Sequence, residues 1–543
     1  MTTQRIPFTE WLPDQPSTAN ALQDVNNVVP VTIGYSPFNL PVNFSNVASE
    51  NLISAFAGKF SNLTQLYAAG QSKLFKFNAS TLNLDDYSKS GGYGLSATDR
   101  WYFVQYGNVT LAVNNVNKIQ SFTIGGNSIT VTAGSFAIGR TYTITSLGST
   151  TNAQWNTIAG TTGITYAVNS VFTAATAGVG TGTASIFQFN DVSANAPVAK
   201  YITIVRDFVV AANLDTGTNA NKLQWSDIND ETNWISVAGG SPTSQSDYQF
   251  MSEGGNITGL SGGEFGLVFL EKAIYRMSYI GSPLFFQFDA ISRNLGCMEG
   301  GSIAQLSGIT YFLADDGFYS CDGRNITPIG TGKIDKYFFK NLDLNNIHKI
   351  SSSINPEQKL VAWSYPNQDG GMSLLIYNVQ YQKWSKVDST TTSYIANFAT
   401  AGVTLEDLDN YGGGSLDAIT TSLDDRSWVG GKFLFGATSG RYLTKFSGEK
   451  ADATIIVGDI EQGYNSVLKL VRPQIQDGTA NISTSSRRKL EDDVVFGDVA
   501  TPTTEGRVNV RSAGRYHRIK AELTGDWTIA VSLDAEFTAQ GNR

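Results

Sequence analysis

Short apolar runs, each closed by a turn and answered by a second run, recur along most of this chain. Residues 66–77 (LYAAGQSKLFKF) and 101–113 (WYFVQYGNVTLAV) follow the pattern, as do 201–214 (YITIVRDFVVAANL) and 266–279 (GLVFLEKAIYRMSY). It returns at 310–323 (TYFLADDGFYSCDG), 359–378 (KLVAWSYPNQDGGMSLLIYN) and 433–448 (FLFGATSGRYLTKFSG). Asp-Gly between apolar runs suits a tight hairpin, because glycine accepts the positive φ that such turns need. Apolar and polar residues do not alternate cleanly in these strands, so both faces of each sheet are expected to be covered. A propeller blade, packed between two neighbours, is one such sheet. The spacing is irregular, yet about seven units exceed one hairpin sandwich and fit a propeller. Stacked β-sandwiches are the alternative.

Two regions depart from this pattern. Residues 451–543 hold evenly spaced strands, and in VNVR, RYHRIKAEL and WTIAVSLDAEF apolar and polar residues alternate, as expected where one face meets water. They predict a compact C-terminal β-module. Residues 123–184 are rich in Thr, Gly, Ala and Ser, with Arg140 as their one charge. The flanks, 117–122 and 187–192, would rejoin naturally. An inserted small β domain explains both features, since loop tips accept insertions cheaply. Tyr142, Ile144, Trp155, Ile158, Tyr166, Val171 and Phe172 are its expected core. Residues 1–60 read as an extended segment tied down by aromatics, with one short helix conceivable at 48–59. The propeller body is then 61–122 and 185–450. A charged loop at 404–428 is expected to cross its surface.

Composition sharpens the picture. Charged residues make up 16% of the chain, against the roughly 25% usual for soluble domains, which favours strands and turns. Thirty Phe, 23 Tyr and nine Trp supply a core. The fold class is therefore mainly β. The net charge of −9 argues against high-affinity nucleic-acid binding, which needs a basic face. Arg487-Arg488-Lys489 is the longest basic run and reads as a solvated turn. Two cysteines, Cys297 and Cys321, make neither a disulfide framework nor a zinc pattern, and read as buried thiols. No apolar run reaches the roughly 18 residues of a spanning helix, and the start has no apolar signal core, so cytosolic synthesis without membrane insertion is expected.

No catalytic set is visible. A Ser-His-Asp arrangement would have to use His348 or His517, the two histidines, and no GxSxG elbow is present. Both histidines read as structural, His517 as one polar tooth of a strand. Glycoside cleavage needs only two carboxylates, for which Asp315-Asp316, Asp424-Asp425 and Glu491-Asp492-Asp493 are candidates, each in a turn-like context where acids are ordinary. The recurrent Ser-x-Asp-x-Gly-x-x-x-Trp turns of sialidase-type propellers are absent, and 225–234 (WSDINDETNW) only superficially resembles one. Residues 407–414 (DLDNYGGG) lack the spacing of an EF-hand. No phosphate-loop or dinucleotide fingerprint appears. No cofactor or metal site is expected.

Residues 201–330 resemble the central region of tail hub, or nozzle, proteins of short-tailed bacteriophages, a group that includes the packaged-DNA stabilisation proteins. The likeness lies in IVRDFVVAAN (204–213), LQWSDINDETNW (223–234), SQSDYQ (244–249) and the run from GEFGLVFLEKAIYRMSYIGSPLFFQFD through YFLADDGFYSCDG. The N-terminal WLPD, NNVVP and GYSPF, and the C-terminal TSLDDRSWVGGKFLFGA and GRYHRIKAEL…FTAQGNR, resemble the two ends of that family. The block 123–184 instead resembles a small domain found inserted in various phage structural proteins. The resemblance implies a virion protein of the tail: a homohexameric ring with a propeller in each subunit, below the portal and adaptor. Such a ring extends the DNA channel, retains packaged DNA, lets it pass without sequence-specific binding, and meets a tail fibre, spike or plug protein. Ring closure would need a heterologous interface. A receptor-binding adhesin and a glycan-degrading virion enzyme are the rival classes.

Overall fold

The computed structural model describes residues 2–61, 63–126, 128–241, 243–388, 392–399 and 433–540. Among these are seven antiparallel four-stranded sheets whose first strands follow one another around a common axis. This is a seven-bladed β-propeller. Blade 1 comprises Ser54–Phe60, Leu63–Ala69, Leu74–Phe77 and Leu84–Asp86. Blade 2 comprises Tyr102–Tyr106, Val109–Val113, Gln120–Thr123 and Asn190–Asp191. Blade 3 begins with Ala199–Val205, blade 4 with Ile257–Ser261, blade 5 with Ala304–Leu306 and blade 6 with Ser351–Asn355. Blade 7 has Tyr394–Ala399, Phe433–Ser439 and Tyr442–Lys450, and its outer strand is Asn39–Asn43 from near the other end of the chain. That pairing closes the ring non-covalently.

Burial explains why the strands lack alternation. Val109–Val113, Phe208–Leu214, Gly266–Leu270 and Leu360–Pro366 are buried at every position, because each lies inside a sheet with a neighbouring blade on either side. All seven sequence units fall on adjacent strand pairs, one to each blade. In blades 2 and 3 the conspicuous pair is the first and second strand, and in the other five it is the second and third. This offset, and the insertion in blade 2, make the spacing irregular. In blade 5, Ala314 N donates to Gly317 O across the Asp315-Asp316 turn. The Asp322 carboxylate then receives Arg324 N and Asn325 N, which fixes the next turn.

Polar ties stitch the blades together. Trp363 Nε1 donates to Ser302 O and Trp384 Nε1 to Ile329 O, between blades 6 and 5. Asn213 Nδ2 donates to Ile257 O between blades 3 and 4, and Tyr106 OH to Asp207 O between blades 2 and 3. Residues 48–59, where a short helix was conceivable, form a loop and then the innermost strand of blade 1. The small Ala55, Ala57 and Gly58 allow close approach at the hub. Gly58 already has Gln105 and Thr110 side-chain atoms where a Cβ would sit.

The insertion is a separate four-stranded sheet, Ile129–Thr132, Thr141–Ser146, Val171–Thr173 and Thr183–Ile186, with a helix at Asn152–Ala159. Thr151 and Gln154 form a capping box at the helix start, and Gly160 ends the helix in the left-handed conformation. Its core gathers Phe136, Tyr142, Ile144, Trp155, Ile158, Tyr166 and Phe172, whereas Val171, an expected core residue, faces solvent. On either side of it, Gln120 pairs with Asp191 and Ser121 with Asn190, so blade 2 resumes in register.

At the C-terminus two 17-residue strands, Ile460–Gln476 and Val508–Thr524, anchor a nine-stranded sheet. Four of its members are N-terminal: Thr2–Pro7, Leu22–Asn26, Val28–Pro30 and Tyr35–Pro37. Gly34 is required at this joint: its φ is +80°, and a Cβ there would lie 1.9 Å from Ala530 O. The N-terminal residues therefore contribute strands to two bodies. Trp11 is fully buried and stacks edge-on against Tyr337, while Asp14 receives Lys336 N and Tyr337 N of the helix Asp335–Asn341. One continuous core runs from Phe318, Trp363 and Trp384 of blades 5 and 6, through Trp11, Val25 and Tyr35, to Leu468, Ile519 and Phe537.

Candidate functional site

The inner strands of six blades and the turn entering blade 5 surround a cavity of about 490 Å³ on the propeller axis. Its wall mixes polar and apolar groups, with Phe56, Phe103, Tyr201, Leu260 and Ile395 among the lining residues beside Ser54, Ser351 and Asn397. Phe56 and Phe103 stack with their ring centres 5.6 Å apart. The polar lining groups mostly bind the hub itself. Ser54 Oγ donates to Trp101 O, Ser352 Oγ to Ile303 O, and Ser351 Oγ receives Ile395 N. Asn397 Oδ1 takes both Ser353 Oγ and Ile354 N.

One charged side chain lines the cavity. Arg100, just before the first strand of blade 2, donates through Nη1 to Ile350 O at the entrance of blade 6. Its guanidinium lies 4.4 Å from the ring centre of Tyr394, in blade 7. The side chain therefore spans the axis. Gly301 of the turn into blade 5 completes the closure, because a Cβ there would collide with Ile350 O and Arg100 Nη1. Beside this latch, Tyr102 and Tyr201 meet edge-to-face at 5.1 Å. Burial, and then the Glu299 carboxylate, push the pKa of both phenols well above the ordinary phenol value. Both stay neutral at ordinary pH. The axis of a single propeller is thus a plugged cup, far too narrow for a DNA duplex.

The residues singled out from sequence occupy scattered places. His517 is buried in the C-terminal sheet, with Nε2 2.8 Å from Ser466 Oγ and its ring edge-on to Phe537. Burial lowers its pKa, so the ring is neutral. His348 lies in a 3-10 turn, Leu344–Lys349, half-buried near Arg100, Lys200, Lys349 and Glu299. The two are not brought together with a nucleophile and a carboxylate. Asp315 pairs with Lys272, and Asp316 accepts from Tyr319 OH. In 225–234, Asp227 and Asp230 cap local backbone and side-chain donors, and both tryptophans are buried. Residues 404–428, with 407–414 and Asp424-Asp425, lie outside the described residues. Among the described residues no group of three or more His, Cys, Asp or Glu is placed to hold a metal. Nor does any helix there have the length and apolarity to cross a membrane.

Two sites differ from the sequence reading or escape it. Arg487 does not sit in a solvated turn. It pairs with the buried Asp459, which Arg518 also grips through two bonds, and it donates to Leu490 O and Asp492 O. Such a buried network must stay fully paired, which locks the strand ends together. Asp335, at the start of its helix, is buried, and one of its oxygens receives Phe318 N. Burial pushes its pKa up to about 6. No local motif marks it, since the burial comes from Gly317 and Gly330 folding over it. Cys297 and Cys321 are both buried and free, with the Cys297 thiol pushed up to about 12 by burial.

No family model and no curated protein matches this chain. Among solved structures, it is similar to the WD40 domain of Toxoplasma gondii coronin, with 7% identity, TM-score 0.34, and coverage of 80% of this chain and 87% of that one. The WD40 domain of SCAP from fission yeast gives 8% identity and TM-score 0.29, covering 92% and 94%. A putative 6-phosphogluconolactonase from Bacteroides uniformis gives 11% identity and TM-score 0.30, covering 62% and 82%. At TM-scores this low, none of the three likenesses carries an argument about this chain.

Proposed function

We propose that this chain is a structural subunit of a short-tailed bacteriophage tail: a hub, or nozzle, that assembles as a six-fold ring below the portal and adaptor. In this reading the ring retains packaged DNA and conducts it on ejection. The observation that carries it is where the family-like segments lie. WLPD, NNVVP, GYSPF and GRYHRIKAEL, far apart in sequence, are the segments that weld propeller to C-terminal sheet, through Trp11, Asp14, Val28–Pro30, Tyr35–Pro37 and Val508–Thr524. The likeness thus follows the long-range joints that define the subunit, as well as its propeller strands. A rigid two-body subunit suits a load-bearing ring. With each propeller axis plugged by Arg100, DNA would run along the six-fold axis between subunits. The acidic net charge favours passage over sticking.

The test is genetic and structural. Phage particles assembled without this chain should fill with DNA and then lose it, and the purified protein should restore full heads in an extract. Full, stable heads in its absence would overturn the reading. Release of reducing sugar from host envelope polysaccharide by the purified protein would favour a virion enzyme instead.

A further inference from the structure

The two 17-residue strands of the C-terminal sheet are not paired evenly along their length. Ile460 and Glu461 lie opposite His517 and Tyr516, and pairing resumes only at Ser466, opposite Gly514. Residues 462–465 therefore bulge out against the single residue Arg515. The strand Thr479–Arg487 ends at the same level, with Arg487 opposite Tyr516. Val508–Thr524 thus loses one neighbour where its pairing with the other is interrupted, which makes this point a joint. His517 pins it. The side chain is fully buried, with Nε2 2.8 Å from Ser466 Oγ and 3.1 Å from Gly514 O. A carbonyl oxygen only accepts, so Nε2 carries the hydrogen and Nδ1 is the bare nitrogen. Nδ1 is buried without a hydrogen-bond partner among the described residues, and Phe537 meets the ring edge-on. A second proton would have to sit on Nδ1, at the cost of a buried charge with no acceptor. The charges around the joint are committed to one another: Arg515 to Glu461, and Arg487 and Arg518 to Asp459. Tyr464 in the bulge is exposed, Tyr516 precedes the histidine, and Glu536 precedes Phe537. Burial disfavours the charged ring, and Gly514 O opposes that only in part.

We propose that His517 is the pin of an acid-sensitive joint: its neutral ring holds the bulge 462–465 against the partner strand, and proton uptake releases the bulge and the pairing on either side of it. Opening brings the ring into water, where it titrates near its ordinary value of 6.5, so the open form takes the proton and the closed form resists it. The joint is therefore closed above that value and opens progressively as pH falls below it. Asp335 has the opposite sign, favouring the fold in acid, so a global melting curve would mix the two and a local reading is needed. The proposal depends on the C-terminal sheet alone and stands or falls separately from the tail-ring reading.

Amide hydrogen exchange of the full-length protein at pH 7 and pH 5, corrected for intrinsic rates, tests it. Protection at 460–468 and 512–518 should fall about 25-fold between the two, as expected when a group titrating near 6.5 takes its proton only in the open form. His517→Gln keeps a donor for Ser466 and Gly514 but cannot titrate, so the same amides should change less than about twofold. His348→Gln removes the other histidine and should leave the fall in place; if His517→Gln does not fold, this variant decides the matter. Equal protection of the native chain at both pH values would overturn the proposal. So would the same fall in His517→Gln, or its disappearance in His348→Gln.

Discussion

The insertion in blade 2 and the C-terminal sheet are both β units joined to the same propeller, and they are joined in opposite ways. The insertion leaves and re-enters between two strand ends that are already neighbours, Ser121 and Asn190. It carries its own core, and its one charge, Arg140, reaches out 3.1 Å to Asp86 of blade 1. The C-terminal sheet shares its core with blades 5 and 6 and borrows four strands from the N-terminus. A unit closed on itself is added to a fold; a unit whose core is shared is part of it. The stabilities of the first should separate from the body, and those of the second should not.

Paired tryptophan substitutions test this contrast most severely. Trp11→Ala empties a fully buried site in the shared core and should cost about 3–5 kcal/mol of the whole body's stability, lowering a single cooperative transition seen by circular dichroism. Trp155→Ala removes an equally buried ring from the insertion, and hydrogen exchange should show loss of protection confined to 129–186. Loss of protection throughout the propeller in Trp155→Ala would break the comparison.

A smaller effect is expected from Asp335→Asn. The folded pKa of about 6 lies above the ordinary carboxyl value of 3.8, so the native state binds the proton more tightly than the unfolded one. Asp335 thus favours folding fully below the ordinary value, and that contribution is lost as pH rises through about 6. Asparagine keeps an acceptor for Phe318 N and cannot ionise. The variant should be as stable as the native chain at pH 4 and more stable at pH 8, read from denaturant midpoints at both. Equal midpoints at pH 8 would show that Asp335 ionises there without cost.

Smaller again is Arg140→Ala. It removes the ionic tether while Asp86 keeps Lys73 and Ser88, so the body's melting should hardly move. The change belongs to the joint: faster exchange of amides around Asp86 and Arg140, and earlier proteolysis of the linkers at 124–128 and 187–189.

These contrasts follow what a chain displays locally. The seven hairpins were legible because their apolar runs and turns, such as Asp315-Asp316-Gly317, lie within a few residues of each other. The insertion was legible through its change of composition, although its helix was not, since Asn152–Ala159 buries only Trp155 and Ile158. The closing strand Asn39–Asn43 carries a proline and mostly exposed side chains, and gives no sign of pairing with Thr444 and Phe446. Arg100 and Asp335 acquire their character from Ile350, Tyr394, Gly317 and Gly330, which only the closed ring brings near. In the basic run at 487–489, Arg488 and Lys489 lie in an exposed turn as expected, and only Arg487 misled, because Asp459, which neutralises it, lies far away in sequence.

The most direct measurement is the native mass of the full-length protein and of a variant with the insertion replaced by a short turn, each alone and mixed with the portal–adaptor complex. The account predicts six copies of either protein, formed alone or on that complex. A trimer indifferent to the portal–adaptor complex would contradict it, as would a ring that the full-length chain forms and the shortened one cannot.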